Sequence, residues 1–225
     1  MKPLHIVIIG AGFGGVYTAR YLACSEPRRG ALAITLISRS NHFLFTPLLH
    51  EVATGSLSPR SVVESLHDIL AGRQVKICQG EVDSINTLSK VVTVDGKNIS
   101  YDYLVIATGA DTNFYNTPGA EQYGLTLKNL SEAVRMRSRI ITAFEQATLI
   151  DDMAERQKLL SFVVVGGGAT GVELAAELID FIHNIESRYY IKDHHRCQAQ
   201  EASVTLVSAQ TELLTSFDKF FSKVA

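Results

Sequence analysis

Two glycine-rich loops are the parts of this 225-residue sequence best suited to chemistry. Gly10-Ala11-Gly12-Phe13-Gly14-Gly15 and Gly166-Gly167-Gly168-Ala169-Thr170-Gly171 both carry glycine in the GxGxxG spacing, and their first glycines lie 156 positions apart. In that spacing the first glycine allows a tight turn. The second lets a pyrophosphate approach the backbone, and the third lets a helix pack closely on the preceding strand. The N–H groups at the start of that helix, with their partial positive charge, then face the phosphates. The chemistry is dinucleotide binding, offered twice. A glycine turn that joins strand to helix without a ligand is the plainer reading of either loop alone.

An acidic residue would ordinarily follow the second strand of such a unit and bind a ribose hydroxyl. Here Ile37 is followed by Ser38-Arg39, and Val207 by Ser208-Ala209. Taken alone, Ser38-Arg39 suggests a 2′-phosphate and hence NADP. Between the loops lie a long loop, a small β-meander and the strand end Ala107-Thr108-Gly109, which a plain dehydrogenase would not have. Two nucleotide folds in one chain suggest FAD and NAD(P)H with electrons passing between them.

Other reactive side chains have weaker claims. Glu173 stands in the first turn of the second unit's helix, where the helix dipole favours a carboxylate; Glu177 follows one turn later as a supporting or surface residue. His42 and His50 read as packing or hydrogen-bonded residues. His183, His194, His195 and Cys197 lack zinc-site spacing and read as a solvated loop, so no metal is expected. Ser58-Pro59 and Tyr189-Tyr190 read as structural.

The elements that must position these residues follow from hydrophobic pattern. Leu4–Ile9 and Ala33–Ile37 are short apolar runs that suit buried parallel strands, and the stretch between them is helical until Ser25-Glu26-Pro27 and Gly30. Residues 60–71 carry apolar side chains at helical spacing. Short strands follow over 74–101, with a hairpin turn at Asp95-Gly96, and Leu104–Ala107 is another buried strand. A linker at 110–127 leads to a helix opened by the capping box Asn129/Glu132 and running to about Ile150. A charged hinge over Asp151–Lys158 precedes strand Ser161–Val165, the second glycine loop and an amphipathic helix through Ile182. Polar residues 186–202 connect to strand Val204–Val207.

Composition narrows the class. Hydrophobic residues make up 46% and charged residues 20%, which suits a soluble globular protein of about one and a half domains. A net charge of −2 without basic blocks argues against nucleic acid. Cys24, Cys78 and Cys197 form no CxxC pair, which fits a reducing compartment. An N-terminus without a signal-peptide pattern points to the cytoplasm.

Three stretches together carry a family resemblance: Asn41 to Gly55 (including His42-Phe43-Leu44-Phe45-Thr46-Pro47-Leu48-Leu49-His50-Glu51), Tyr101 to Gly109, and Val163 to Glu177. Over residues 4–225 the chain resembles the N-terminal part of the type II NADH:quinone dehydrogenases, two-dinucleotide-domain flavoproteins. The resemblance implies an α/β, Rossmann-type, glutathione-reductase-like fold with a β-meander insertion and an incomplete second Rossmann unit. The expected divisions are 1–115 for FAD, 116–158 as connector and 159–225 as the start of the NADH domain. FAD would meet Gly10, Gly12, Phe13, Gly14, Gly15, Ser38, Arg39, Val82, Ala107, Thr108 and Gly109, with Thr46-Pro47-Leu48 beside the flavin ring. NADH would meet Gly166, Gly168, Ala169, Thr170, Gly171, Glu173 and Ser208. Thr46, Pro47 and Glu173 would serve the reaction, Glu173 by positioning the nicotinamide or coupling a proton.

Relatives that reduce disulfides carry a cysteine pair near the flavin loop, and here no cysteine lies between Cys24 and Cys78. The implied course is hydride transfer from NADH to flavin, then direct reduction of a small acceptor, foremost a quinone. The family continues past this chain with a segment that closes the FAD site, quinone-side residues and amphipathic membrane-attaching helices. A truncated chain is therefore expected, with membrane contact only through the missing part and a homodimer left open. A soluble reductase of a ferredoxin-like carrier, or a nucleotide-binding piece without turnover, remain alternatives.

Overall fold

In the computed structural model, residues 2–25, 30–185 and 201–224 are described. The first elements are β1 (Leu4–Ile9), α1 (Phe13–Ser25), β2 (Leu32–Ser38), β3 (His42–Leu44), α2 (Leu49–Thr54), β4 (Val63–Ser65) and α3 (Leu66–Ile69). Strands β5 (Val75–Gln79), β6 (Val82–Asn86), β7 (Val91–Val94), β8 (Lys97–Ser100) and β9 (Tyr103–Ile106) follow. Then come α4 (Ala120–Tyr123), α5 (Leu130–Thr148), α6 (Met153–Leu159), β10 (Ser161–Val165), α7 (Ala169–Ile185), β11 (Ser203–Val207) and α8 (Lys219–Val224). The chain divides into two compact units, residues 1–45 with 63–113 and residues 46–62 with 114–225.

The first unit is built on a parallel sheet in the order β5-β2-β1-β9. Its central strand is apolar at consecutive positions because both faces are covered. Ile6 and Ile8, with Ile34 and Leu36, pack under Val16 and Ala19 of α1. Val7 and Ile9, with Ile37, face Val92 and Val94 of the antiparallel meander β6-β7-β8. The meander turns at Asp95 (φ 46°) and Gly96 (φ 73°), the paired positive angles that a tight two-residue hairpin demands.

Residues 60–71 depart from the expected helix. They form a 3-10 turn over Pro59–Val62, strand β4 and the four-residue α3. β4 pairs antiparallel with β3, Val63 opposite Leu44 and Ser65 opposite His42. This ladder begins at the β-branched Val63, beside Val62, where helix propensity is poor. Ser65 then caps α3, its Oγ accepting from the His67 amide at 3.2 Å. The expected Glu26-Pro27 stop of α1 lies outside the described residues.

In the second unit, α5 opens with the expected capping box. Asn129 Oδ1 accepts from the Glu132 amide at 3.0 Å, and Glu132 Oε2 from the Asn129 amide at 3.3 Å. Its buried stripe of Ala133, Met136, Ile140, Phe144 and Ala147 takes α2 against it, and α7 packs on α2 as well. The expected hinge at 151–158 is instead helix α6, capped by Asp152. Its Arg156 is buried and makes a bidentate pair with Glu201 at 2.6 and 2.7 Å. Nη1 of Arg156 also donates to the carbonyls of Ile150 and Asp151. β10 and β11 pair in parallel and α7 crosses between them.

Candidate functional site

The first unit places its glycine loop at the carboxyl end of β1, next to β9. There the strand order reverses, and α/β sheets open a crevice for ligands. Gly10 has a φ of +101°, and a Cβ on it would stand 2.3 Å from the Ala107 carbonyl oxygen. Gly15 is tighter still, since its Cβ would fall 1.8 Å from the Gly10 oxygen. Gly12 is the opposite case, with nothing within 4 Å of where a Cβ would be. The Val16 amide donates to the Gly12 carbonyl at 3.0 Å, so Gly12 stands at the mouth of α1. The crowded glycines shape the turn and the open one leaves room over its amides.

Of the other residues expected at this site, Ser38 ends β2 and Arg39 follows it, and Ala107, Thr108 and Gly109 follow β9, whereas Val82 begins β6. Ser38 is buried at the end of β2, its Oγ accepting from the Ser40 amide at 3.3 Å. Arg39 is exposed, 4.0 Å from Glu81. Ala107 donates to the Ile9 carbonyl at 2.8 Å, while Thr108 and Gly109 (φ 75°) lie open to solvent. Val82 packs beneath the sheet against its meander-side core. Phe13 stands edge-on to Phe43 at 4.9 Å and to Phe45 at 5.4 Å.

The second unit repeats this construction. Gly166 has a φ of +126°, Gly171 would place a Cβ 1.9 Å from the Gly166 oxygen, and Gly168 has nothing within 4 Å. The amides of Gly10 and Gly166 each donate at 2.8 Å to the end of their unit's second strand, at Ile37 and Val207. Ala169 and Thr170 open α7. Ser208 follows β11 and accepts at Oγ from the Gln210 amide at 3.1 Å, as Ser38 does from Ser40.

Thr46, Pro47 and Leu48 form one 3-10 turn that runs directly into α2. α2 brings the buried His50 to Glu173, with Nδ1 3.7 Å from Oε2 and the Glu173 side chain 51% exposed. Glu177 binds the other end of α2, accepting from Ser56 Oγ at 2.9 Å and from Thr54 Oγ1 at 3.2 Å. Gly55 between them has a φ of +82°, and the Arg137 guanidinium occupies the space a side chain there would need. Thr54, Ser56 and Arg137 are participants that sequence reasoning missed. Their partners lie about 80 to 120 residues away, and the one local signal was the glycine that ends α2. His42 is bonded to its neighbour Asn41, Nδ1 to Oδ1 at 3.2 Å.

His194, His195, Cys197, Tyr189 and Tyr190 lie outside the described residues. Among the described residues no group of three or more His, Cys, Asp and Glu could hold a metal.

The family model described as pyridine nucleotide-disulphide oxidoreductase matches residues 4–225. The chain belongs to this family. Among curated relatives, the external alternative NAD(P)H-ubiquinone oxidoreductase B3 of Arabidopsis thaliana mitochondria is 37% identical over 238 residues; that match covers 100% of this chain and 39% of the relative. The type II NADH:quinone oxidoreductase NdhA of Mycobacterium tuberculosis is 38% identical, with 78% of this chain and 37% of that protein covered. The solved structure of NDH2 from Plasmodium falciparum in complex with NADH superposes with a TM-score of 0.83 at 31% identity, covering 99% of this chain and 45% of that one. The chain thus spans about two fifths of the length of these pyridine nucleotide-disulphide oxidoreductase relatives. The expected α/β class with Rossmann-type parallel sheets is the one found.

Proposed function

We propose that this chain binds FAD on the first glycine cradle and NADH on the second, as part of an NADH dehydrogenase whose electrons go to a quinone. One observation carries the reading. The same turn is built twice, with the third glycine against the first glycine's carbonyl and the second glycine open. Both cofactors fit that geometry, because a pyrophosphate needs the space a Cβ would fill at Gly12 and Gly168. The names of the relatives, NADH-ubiquinone and NADH:quinone oxidoreductases, support the choice of donor and acceptor. A quinone is met at a membrane, where the full-length protein would act as a peripheral partner. No helix among the described residues is long and apolar enough to cross one.

Bound FAD supplies the two-electron chemistry, taking a hydride from NADH and releasing electrons to the acceptor. The chain's own groups orient and hold. First-turn amides at Phe13–Gly15 and Ala169–Gly171 would donate to phosphate oxygens, and Ser38 and Ser208 would offer hydroxyls to ribose. Ala107-Thr108-Gly109 closes the first cradle at Gly10. The Thr46-Pro47-Leu48 turn is held by α2, into which it runs. Glu173, with Oε2 3.7 Å from the Nδ1 of buried His50, would position the nicotinamide or couple a proton.

The test is spectroscopic. The purified chain, reconstituted with FAD and desalted, should keep a flavin band that bleaches under anaerobic NADH and returns on adding a soluble quinone. A colourless protein after desalting, or a bound flavin untouched by NADH, would overturn the assignment.

A further inference from the structure

The amino ends of β1, β2 and β5 meet at a cavity of about 620 Å³, a size that suits a small organic ligand. A strand of six residues spans about 20 Å, so the cavity stands well apart from the glycine loop at the other end of β1. Its walls are apolar at Leu32, Ile34, Val75 and Ile99, and it carries the cations Arg73 and Lys76. Among the described residues that line it none is acidic, and neither cation is paired with a carboxylate. The Asp102 carboxylate accepts from the amide of His5, a wall residue, at 2.7 Å and does not itself line the cavity. The His5 ring is engaged with Thr35, Nε2 to Oγ1 at 2.8 Å.

Arg73 is the informative group. Its Nη1 donates to the carbonyls of Ile69 at 3.0 Å and Ala71 at 3.3 Å, which pins the guanidinium against the end of α3. The side edge of the fork, Nε with Nη2, donates to no group among the described residues, and Nε is buried. A buried donor left without a partner costs free energy, and this edge matches the two oxygens of a carboxylate. We propose that the cavity binds a small monocarboxylate with an apolar body. The carboxylate takes the Nε/Nη2 edge of Arg73 beside Lys76, and the body lies against Leu32, Ile34, Val75 and Ile99. Nothing in this proposal rests on the nucleotide assignments of the two glycine loops.

The experiment is a titration of the purified full chain with octanoate, followed by calorimetry and by the Arg73 Nε–H signal in NMR. Octanoate should bind with a dissociation constant below about 1 mM and move that signal downfield. Acetate, which lacks the body, and 1-octanol, which lacks the charge, should each bind at least about tenfold more weakly. Arg73→Gln should weaken octanoate by at least about tenfold, the reach of a charge-assisted fork. Lys76→Gln, at an exposed position, should weaken it by about threefold and decides the matter should Arg73→Gln fail to fold. ADP, directed at the glycine loops, should leave octanoate affinity unchanged. Failure of octanoate to bind, octanol binding as tightly, an unmoved Arg73 signal or displacement by ADP would each overturn the proposal and leave the proposed function standing.

Discussion

A methyl group separates shape from binding in the two glycine loops. At Gly15 and Gly171 it would sit 1.8 and 1.9 Å from a backbone oxygen, where only the strand–turn–helix junction itself can yield. Gly15→Ala and Gly171→Ala should each cost about 1–3 kcal/mol of stability in denaturant unfolding. At Gly12 a methyl meets nothing within 4 Å, so Gly12→Ala should fold within about 0.5 kcal/mol of the parent. It nonetheless fills the room held for the pyrophosphate and should weaken FAD binding at least about tenfold. A Gly12→Ala protein with undiminished FAD affinity would show that the loop is only a turn. These roles were legible because the fingerprint is complete within six consecutive residues. The Ala107 carbonyl that Gly10 must clear was not, since β9 arrives beside β1 almost a hundred residues later.

Helix α6 is tied to Glu201 by a largely buried ion pair. The side chains of Arg156 and Glu201 are 8% and 11% exposed and joined by two hydrogen bonds. That hydrogen bonding to the guanidinium, helped by its charge and opposed by burial, holds the Glu201 carboxyl below its ordinary 4.5. A lowered folded-state value means the pair's stabilisation is complete above about 4.5 and drains away as the pH falls through the lower value. Glu201→Gln should cost about 3 kcal/mol near neutral pH by leaving Arg156 buried without its counter-charge. The variant should also lose less stability than the parent between about pH 5 and pH 3. Parallel pH dependences for both proteins would remove Glu201 from the acid transition. The charge run at 151–158 reads as a hinge from sequence because Arg156 and Glu201 are 45 positions apart. The capping box of α5 was plain for the opposite reason, as both partners lie within one turn. Residues 60–71 misled because helical spacing and a β-branched pair conflict there, and the partner strand β3 decided between them.

Among the described residues each compact unit carries one glycine cradle, Gly10–Gly15 in one and Gly166–Gly171 in the other. Each device is closed by contacts inside its own unit, Ala107 against Gly10 and Ser208 against Gly167. The two ligands should therefore stabilise the protein separately. A ligand at a hundred times its dissociation constant adds about 2.7 kcal/mol to the folded form it binds. For a chain of this size that is a thermal shift of about 5–10 °C. Gly12→Val should abolish the shift produced by FAD and keep the one produced by NADH; Gly168→Val should do the reverse. Both substitutions fall where an added Cβ meets no protein atom within 4 Å, so the unliganded melting points should change little. The crossed pattern is the informative outcome, because a single shared nucleotide site would lose both shifts to either substitution. Loss of both shifts in one variant with an unchanged unliganded melting point would mean that the repeated turn is a repeat of ancestry alone.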